Sequence, residues 1–146
     1  MLKLELRQKF WSNGLIDDVV VFGLPEDYVH FSEAVAAAIV SPQPVVLRTD
    51  THVCVEITRN DNIDTLFTSL QNQSDEYFSM DAWNARSILR VLASERTLLK
   101  LSTYLLAVSG RGIGYSYISE FTEPGQYSDQ SPEWRLHIQS EANTGI

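Results

Sequence analysis

The sequence predicts an α+β fold, a largely antiparallel sheet with two or three helices packed on one of its faces. In several short runs apolar residues alternate with polar ones, as in half-buried strands, and elsewhere they recur every three or four residues, as in amphipathic helices. Short turns join neighbouring strands, which favours antiparallel pairing. At 146 residues the chain has the length of one domain. We therefore expect residues 1–146 to form a single globular domain with a frayed C-terminal end.

The first part of the chain predicts two strands and a helix. Residues 2–7 alternate leucine with charged residues, and residues 19–22 form a short β-branched run, so we expect two paired strands there. Helical spacing of apolar residues then extends from Pro25 to Val40, and proline is well suited to a helix's first turn. Two prolines shortly after Val40 end this helix.

The middle of the chain predicts a hairpin followed by helices. Residues 45–48 and 53–57 are apolar runs that flank a polar turn, as in a β-hairpin. Residues 61–70 have the spacing of a short helix. The apolar positions of residues 82–108 also fit a helix, either as one long helix or as two that meet near Ser94.

The last part of the chain predicts two strands. Glycines at 110 and 112 end the preceding helix, and residues 113–121 alternate apolar and polar side chains. After a turn, residues 134–139 alternate again and predict the last strand. The glycine-rich loop Gly110–Gly114 follows a helix and precedes a strand, which is the wrong order for a nucleotide-binding loop, so we interpret it as a helix C-cap and a turn.

Composition excludes several classes of function. No stretch contains the ~18 consecutive apolar residues of a membrane-spanning helix, and the N-terminus does not have the pattern of a signal peptide, so we expect a cytoplasmic protein without membrane contact. Eleven Lys and Arg against nineteen Asp and Glu give a net charge of −8, which disfavours nucleic-acid binding. The single cysteine, Cys54, cannot form an internal disulfide.

Motifs for catalysis or metal binding are missing from the sequence. His52, Cys54 and Glu56 would share one strand face, but they provide only three ligand types and no fourth. The flanking valines predict that Cys54 is buried and unreactive. The chain has no nucleophile elbow and no phosphate-binding loop. We therefore expect no enzyme activity, no cofactor and no metal.

The surplus of acidic residues, together with aromatic residues close to them in the sequence, predicts a protein-binding surface. Acidic groups steer a basic partner, and tyrosines provide the buried anchors of protein interfaces. An acidic protein can also be acidic for solubility alone, so this interpretation stays open. The candidate partner-binding residues are Asp17, Asp18, Asp61, Asp64, Asp75, Glu76, Tyr115, Tyr117, Glu120, Glu123, Tyr127 and Asp129.

The chain resembles bacterial immunity proteins of polymorphic toxin and contact-dependent inhibition systems. The resemblance lies in the small size, the acidic balance and the missing catalytic motif, together with Gly23–Asp27 opening a helix that ends in the run Ala34–Ile39. The turn Ser131–Pro132, which leads into the last strand, also resembles these proteins. The resemblance implies a stoichiometric inhibitor that binds a cognate protein toxin, often a basic nuclease, at or beside its active site.

Two alternatives belong to other classes. Secretion chaperones are also small, acidic, cytosolic proteins, and they dimerise around apolar grooves for an unfolded effector. A small enzyme or ligand-binding domain with a pocket that no motif announces is the third possibility. The sequence leaves the oligomeric state open.

Overall fold

A computed structural model describes residues 1–11, 14–63, 65–71, 86–121 and 132–139, with the side chains of residues 7–17 and 71 excluded. These ranges hold eight strands, two α-helices and one short 3-10 helix. In chain order the elements are β1 (Lys3–Trp11), β2 (Gly14–Gly23), α1 (Pro25–Val40), β3 (Val45–Leu47), β4 (Cys54–Arg59), β5 (Phe67–Gln71), β6 (Ile88–Ala93), α2 (Glu95–Ser109), β7 (Gly114–Tyr117), the 3-10 helix (Ile118–Phe121) and β8 (Glu133–Ile138).

The strands form two sheets of four strands. Sheet A has the order β1-β2-β8-β7, and sheet B has the order β3-β4-β6-β5. The central pair of each sheet, β2 with β8 and β4 with β6, is parallel, and the outer pairs are antiparallel. The predicted α+β class and its mostly antiparallel strands are confirmed. The strands form two sheets rather than one, and the described residues contain two α-helices.

The chain consists of two equivalent units whose strands are exchanged. Each unit is a hairpin, a helix and two further strands: β1-β2-α1-β3-β4, then β5-β6-α2-β7-β8. Each sheet combines the hairpin of one unit with the last two strands of the other. An equivalent backbone hydrogen bond lies at the end of the central strand pair in each sheet. The Gln139 amide donates to the Gly23 carbonyl in sheet A, and the Asn60 amide donates to the Ala93 carbonyl in sheet B, each at 2.8 Å.

The two helices pack against each other with equivalent residues. Ser32 on α1 and Ser102 on α2 lie 70 positions apart, and the hydroxyl of each donates to the carbonyl of the other, at 2.7 and 2.9 Å. The same offset relates the buried apolar residues of the helices: Tyr28 with Leu98, Phe31 with Leu101, Val35 with Leu105, and Ala38 with Val108. Burial on this one face drives each helix onto the sheets, because the apolar residues recur every three or four positions.

Trp134 joins the two sheets inside the core. Its side chain is fully buried, and its indole Nε1 donates to Thr68 Oγ1 of sheet B at 3.2 Å. The ring of Phe31 on α1 lies 6.2 Å from the indole, centre to centre. One apolar cluster therefore contains residues of both sheets and both helices.

Several sequence predictions are confirmed. The first two strands pair as expected, the first helix has the predicted bounds, the strands at Val45–Leu47 and Cys54–Arg59 form the hairpin, and the last strand is β8. Gly110 is the C-cap of α2, as its position predicts. None of the helices within the described ranges is long and apolar enough to cross a membrane.

Three predictions are wrong. Phe67–Leu70, predicted as part of a helix over residues 61–70, belong to strand β5, and Leu66, Thr68 and Leu70 are buried in alternation. Within residues 82–108, Ile88–Ala93 is the central strand β6, and only α2 is helical; residues 82–85 lie outside the described part. A buried strand can mimic helical spacing over so short a run.

The strand predicted for residues 113–121 ends at Tyr117, and the chain continues as the 3-10 helix. The predicted frayed end, residues 140–146, also lies outside the described residues.

Candidate interaction surface

The outer face of sheet A carries a group of aromatic and basic side chains. In β8 the alternate residues Trp134, Leu136 and Ile138 are buried, so Arg135 and His137 lie on the opposite, outer face. The strand register brings further rings beside them. The aromatic face consists of Phe22, Tyr115, Tyr117, Arg135 and His137.

The side chains of the aromatic face contact one another in a row. The His137 ring stacks on Phe22 at 5.0 Å between ring centres, and it lies 5.3 Å from Tyr115. Tyr115 meets Tyr117 edge to face at 5.8 Å. The Arg135 guanidinium lies 5.7 Å above the Tyr115 ring, a cation–π contact. These contacts hold the rings in a fixed arrangement.

The β7 end of the aromatic face is open to solvent. Tyr115 is 58 % exposed and Tyr117 is 40 % exposed, and the neighbouring Ile113 is 75 % exposed. Exposed tyrosines on an ordered strand lose little conformational freedom when a partner covers them. This geometry suits binding of a macromolecule.

A second group of polar side chains supports β7 from α2 and the 3-10 helix. The Arg111 cluster consists of Tyr104, Arg111, Ser116 and Glu120. Arg111 Nη1 donates to Ser116 Oγ at 2.7 Å and to Glu120 Oε2 at 3.1 Å. The Arg111 guanidinium also lies 5.2 Å above the Tyr104 ring. The hydroxyl of Tyr104 donates to the Tyr117 carbonyl at 2.6 Å, and the Tyr117 amide donates to Glu120 Oε1 at 3.0 Å.

The electrostatics of the Arg111 cluster follow from these bonds. Burial, followed by the nearby Glu120 charge, raises the pKa of Tyr104 to about 12. The Tyr117 amide lowers the pKa of Glu120, and Arg111 lowers it further. Glu120 is therefore ionised at neutral pH and already paired within the chain.

Asp18 and Glu133 are adjacent carboxylates on the central strands of sheet A. The two residues pair in register between β2 and β8. Burial raises the pKa of Glu133, and the charge of Asp18 adds to this shift. Both carboxylate oxygens of Glu133 lie 3.4 Å from the Ser119 hydroxyl. The pair brings negative charge close to the aromatic face.

Asp61 has a structural role. It accepts hydrogen bonds from the Arg59 guanidinium at 2.9 Å and from the Glu95 amide at 3.0 Å, at the start of α2. The hydrogen bond from Arg59 and that from the Glu95 amide lower the pKa of Asp61. Its charge therefore holds the end of β4 to the start of α2.

The structure brings together only some of the residues that the sequence suggests. Tyr115, Tyr117 and Glu120 lie near one another around β7, whereas Asp18 lies two strands away and Asp61 belongs to sheet B. The Asp17 backbone belongs to β2, but its side chain lies outside the described part. The other candidate residues outside the described ranges are Asp64, Asp75, Glu76, Glu123, Tyr127 and Asp129.

Sequence reasoning missed several members of the site. Arg135 and His137 could have been found from the alternation in the last strand, because Trp134 and Leu136 predict the buried face and leave the others outside. Phe22, Tyr104, Arg111 and Ser116 gave no such signal. Phe22 reaches the site through the pairing of β2 with β8, far apart in the chain, and Tyr104 contacts Glu120 because α2 packs beside the 3-10 helix.

The residues considered for a metal do not form a site. Cys54 and Glu56 lie on the outer face of sheet B, where Glu56 pairs with Arg90 at 3.3 Å. Cys54 is half-buried rather than buried as predicted, because its valine neighbours point inward. Over the ranges that the structure describes, no three His, Cys, Asp or Glu residues are grouped so that they could hold a metal ion.

The chain was compared with protein-family models, with curated protein sequences and with solved structures, and none of them matches it.

Proposed function

We propose that this protein acts by binding another protein, as an immunity protein that neutralises a cognate bacterial toxin without turnover. The contact surface is the open end of the aromatic face, centred on Tyr115 and Tyr117. The observation that carries the proposal is the exposure of these two tyrosines, 58 % and 40 %, on an ordered strand. Tyrosines of this kind are typical anchors of protein interfaces.

Charge around the aromatic face supports a basic partner. The protein has a net charge of −8, and Asp18 and Glu133 lie side by side on sheet A. Such a field raises the rate of association with a basic protein by roughly 10–10³. The partner's lysines and arginines can also stack on the tyrosines, as Arg135 does on Tyr115.

Sheet B provides an internal comparison that favours this location. Val46 of β3 pairs with Glu56, the third residue of β4. In the same way, Tyr117 of β7 pairs with Arg135, the third residue of β8, so Val46 and Tyr117 occupy equivalent positions. At this equivalent position the side chain is aliphatic, and the central strands carry the ion pair of Glu56 and Arg90. The exposed tyrosine pair therefore belongs to sheet A and does not follow from the repeated architecture.

Co-expression tests this proposal. The probe is the toxic domain encoded beside the gene of this chain, produced together with wild-type protein or with the double variant Tyr115→Ala, Tyr117→Ala. We expect wild-type protein to protect cells and to form a one-to-one complex. Removing two anchors should weaken the complex by more than about 2 kcal/mol and abolish protection. Val46→Ala, an exposed residue at the equivalent place of sheet B, is the matched control and should protect like wild type.

Two results would contradict the proposal. One is a wild-type protein that neither binds the toxic domain nor protects cells. The other is a double variant that is folded, as judged by circular dichroism, and protects as well as wild type. A binding constant that does not weaken as salt is raised would exclude the electrostatic part of the proposal.

A dimeric secretion chaperone is the second candidate, and a specific observation favours it. Leu99 and Leu106 lie one above the other on the solvent side of α2 and are 58 % and 53 % exposed, and Val40 at the end of α1 is 83 % exposed. Light scattering distinguishes the two functions. A stable dimer that Leu106→Glu dissociates would favour the chaperone, whereas a monomer would favour the immunity protein.

A further inference from the structure

Arg135 is a positively charged residue of the aromatic face. It is half-buried, and its guanidinium lies 5.7 Å above the Tyr115 ring. It forms no ion pair and no hydrogen bond through its side chain with any residue that the structure describes. Its Nε is buried, whereas the two Nη nitrogens are in contact with solvent. Arg135 therefore carries hydrogen-bond donors that the described part of the fold does not use.

A carboxylate lies near Arg135 within the chain, but Arg135 does not pair with it. Glu133 lies two residues before Arg135 on the same face of β8, and its oxygens lie 3.4 Å from the Ser119 hydroxyl. Tyr115 lies on the other side of Arg135, because it pairs in register with His137. The Arg135 side chain therefore extends toward the tyrosine and away from Glu133.

Sheet B shows how a charge at the equivalent position is paired inside the fold. Glu56 is the third residue of β4, as Arg135 is the third residue of β8. Glu56 pairs in register with Arg90, and the two side chains form an ion pair at 3.3 Å. In sheet A the equivalent neighbour of Arg135 is Val20, whose side chain has no charge and no hydrogen-bonding group. Within the described strands, an arginine without a carboxylate at this position is therefore particular to sheet A.

A partner that covers the exposed tyrosines also covers Arg135. Arg135 pairs in register with Tyr117 and stacks on Tyr115, and these tyrosines are the centre of the proposed contact surface. Removing an arginine from water is costly unless an opposite charge pairs with it. A neutral carbonyl offsets less of this cost than a carboxylate, because hydrogen bonds between charged groups are stronger. A carboxylate can also accept from both Nη nitrogens at once.

We propose that Arg135 recognises one aspartate or glutamate of the protein partner, inside a surface that is otherwise basic. The inference rests on the proposed function and specifies its partner. The partner's basic side chains lie opposite Asp18 and Glu133, which pair in register two residues before Arg135. The net charge of −8 attracts any basic protein. Arg135 adds selectivity, because a basic protein without this carboxylate leaves the arginine buried and unpaired in the complex.

The direction of a charge effect tests this inference. The probe is the toxic domain encoded beside the gene of this chain, and its binding is measured by isothermal titration calorimetry. We expect Arg135→Met to weaken binding at least about tenfold, because methionine can still pack on Tyr115 but offers no donor. Arg48→Met is the matched control, since Arg48 is exposed after β3 of sheet B and its loss changes the net charge equally. A basic partner should bind this control as tightly as wild type or more tightly.

A double-mutant cycle identifies the carboxylate. Each aspartate and glutamate of the toxic domain is replaced by asparagine or glutamine, and each variant is titrated with wild-type protein and with Arg135→Met. For one of these residues, we expect the loss of affinity caused by Arg135→Met to fall to less than about twofold. The same cycle with Arg48→Met should show no such coupling.

The stability of the unbound protein separates a binding role of Arg135 from a structural one. Its buried Nε has no hydrogen-bond partner among the described residues, and a buried donor without a partner destabilises a fold. We therefore expect Arg135→Met to unfold at a urea concentration equal to or higher than that of wild type. Unfolding at lower urea would mean that the arginine serves the fold, and it would overturn the inference.

Two further results would overturn the inference while the proposed function stands. One is a wild-type protein that binds the toxic domain together with an Arg135→Met variant that binds it equally well or better. The other is a double-mutant cycle in which no carboxylate of the toxic domain couples to Arg135. If wild-type protein does not bind the toxic domain, the proposed function fails and this inference fails with it.

Discussion

At the residue scale, a buried hydrogen bond joins the two sheets. The indole Nε1 of Trp134 donates to Thr68 Oγ1 at 3.2 Å, and both side chains are fully buried. Thr68→Val keeps the shape but leaves the indole N–H without this partner. We expect a loss of about 1–3 kcal/mol in the free energy of unfolding, measured by urea denaturation.

Thr58→Val is the control for this variant, because Thr58 is half-buried on the outer face of sheet B. It should change stability by less than about 0.5 kcal/mol. In a Trp134→Phe background, Thr68→Val should cost less than in wild type, since the indole N–H is then absent. Equal costs in the two backgrounds would show that the bond between the sheets contributes nothing.

Glu133 leads to a prediction about pH. Burial raises the pKa of Glu133, so the folded protein holds this proton more tightly than the unfolded chain. Stability from this group is therefore full at low pH and is lost as the pH rises through the folded-state pKa. Glu133→Gln is neutral at every pH, and its amide oxygen can still accept from Ser119.

We expect Glu133→Gln to unfold at higher urea than wild type at pH 7, and this gain to disappear in acid, where Glu133 is itself protonated. Glu33→Gln, at an exposed position of α1, is the control and should show no such gain. A variant that is less stable than wild type at pH 7 would mean that the ionised Glu133 stabilises the fold.

At the scale of elements, the sequence predicts α1 well and β6 badly, for one physical reason. α1 has sixteen residues, enough for the helical period to repeat, and Pro25 marks its start. β6 has only six residues, and Ile88, Leu89 and Leu92 also fit a helix. A short apolar run lies in a strand or a helix according to its partners, and those are distant in sequence.

The candidate site divides in the same way. Tyr115 and Tyr117 share a face because strand side chains repeat every two residues, and this local rule is visible in the sequence. Phe22 stands beside His137 only because β2 pairs with β8, more than a hundred residues later. Long-range pairing, rather than local preference, builds most of the aromatic face.

The start of α2 gives the prediction at this scale. Ser94 is its N-cap, with Oγ accepting from the Thr97 amide, and Asp61 accepts from the Glu95 amide. Ser94→Ala should lower the free energy of unfolding by about 1 kcal/mol in urea denaturation. Thr103→Ala in the exposed middle of α2 is the control, and it should be neutral or slightly stabilising, because alanine is the better helix former. If Ser94→Ala leaves the free energy of unfolding unchanged, Asp61 alone caps the start of α2.

At the scale of the whole molecule, the exchange of strands makes each unit incomplete alone. Sheet A takes β1 and β2 from the first unit and β7 and β8 from the second, and sheet B does the converse. The repeat is not visible in the sequence, because few identical residues remain at equivalent positions. Ser32 and Ser102 are a pair that does, and each binds the other's carbonyl. The two units therefore share the contact between α1 and α2 at these serines.

This dependence predicts how the chain behaves when it is divided. A break between Ile63 and Thr65 separates the units without cutting any strand. Residues 1–63 and 65–146 should be unfolded when produced separately, since each lacks the partner strands of both central pairs, and should form a folded one-to-one complex when mixed. Size-exclusion chromatography and circular dichroism measure this. Because the central pairs are parallel and come from different units, a half that folds alone as a monomer would have to pair its strands differently, and the exchange would then not be what holds the molecule together.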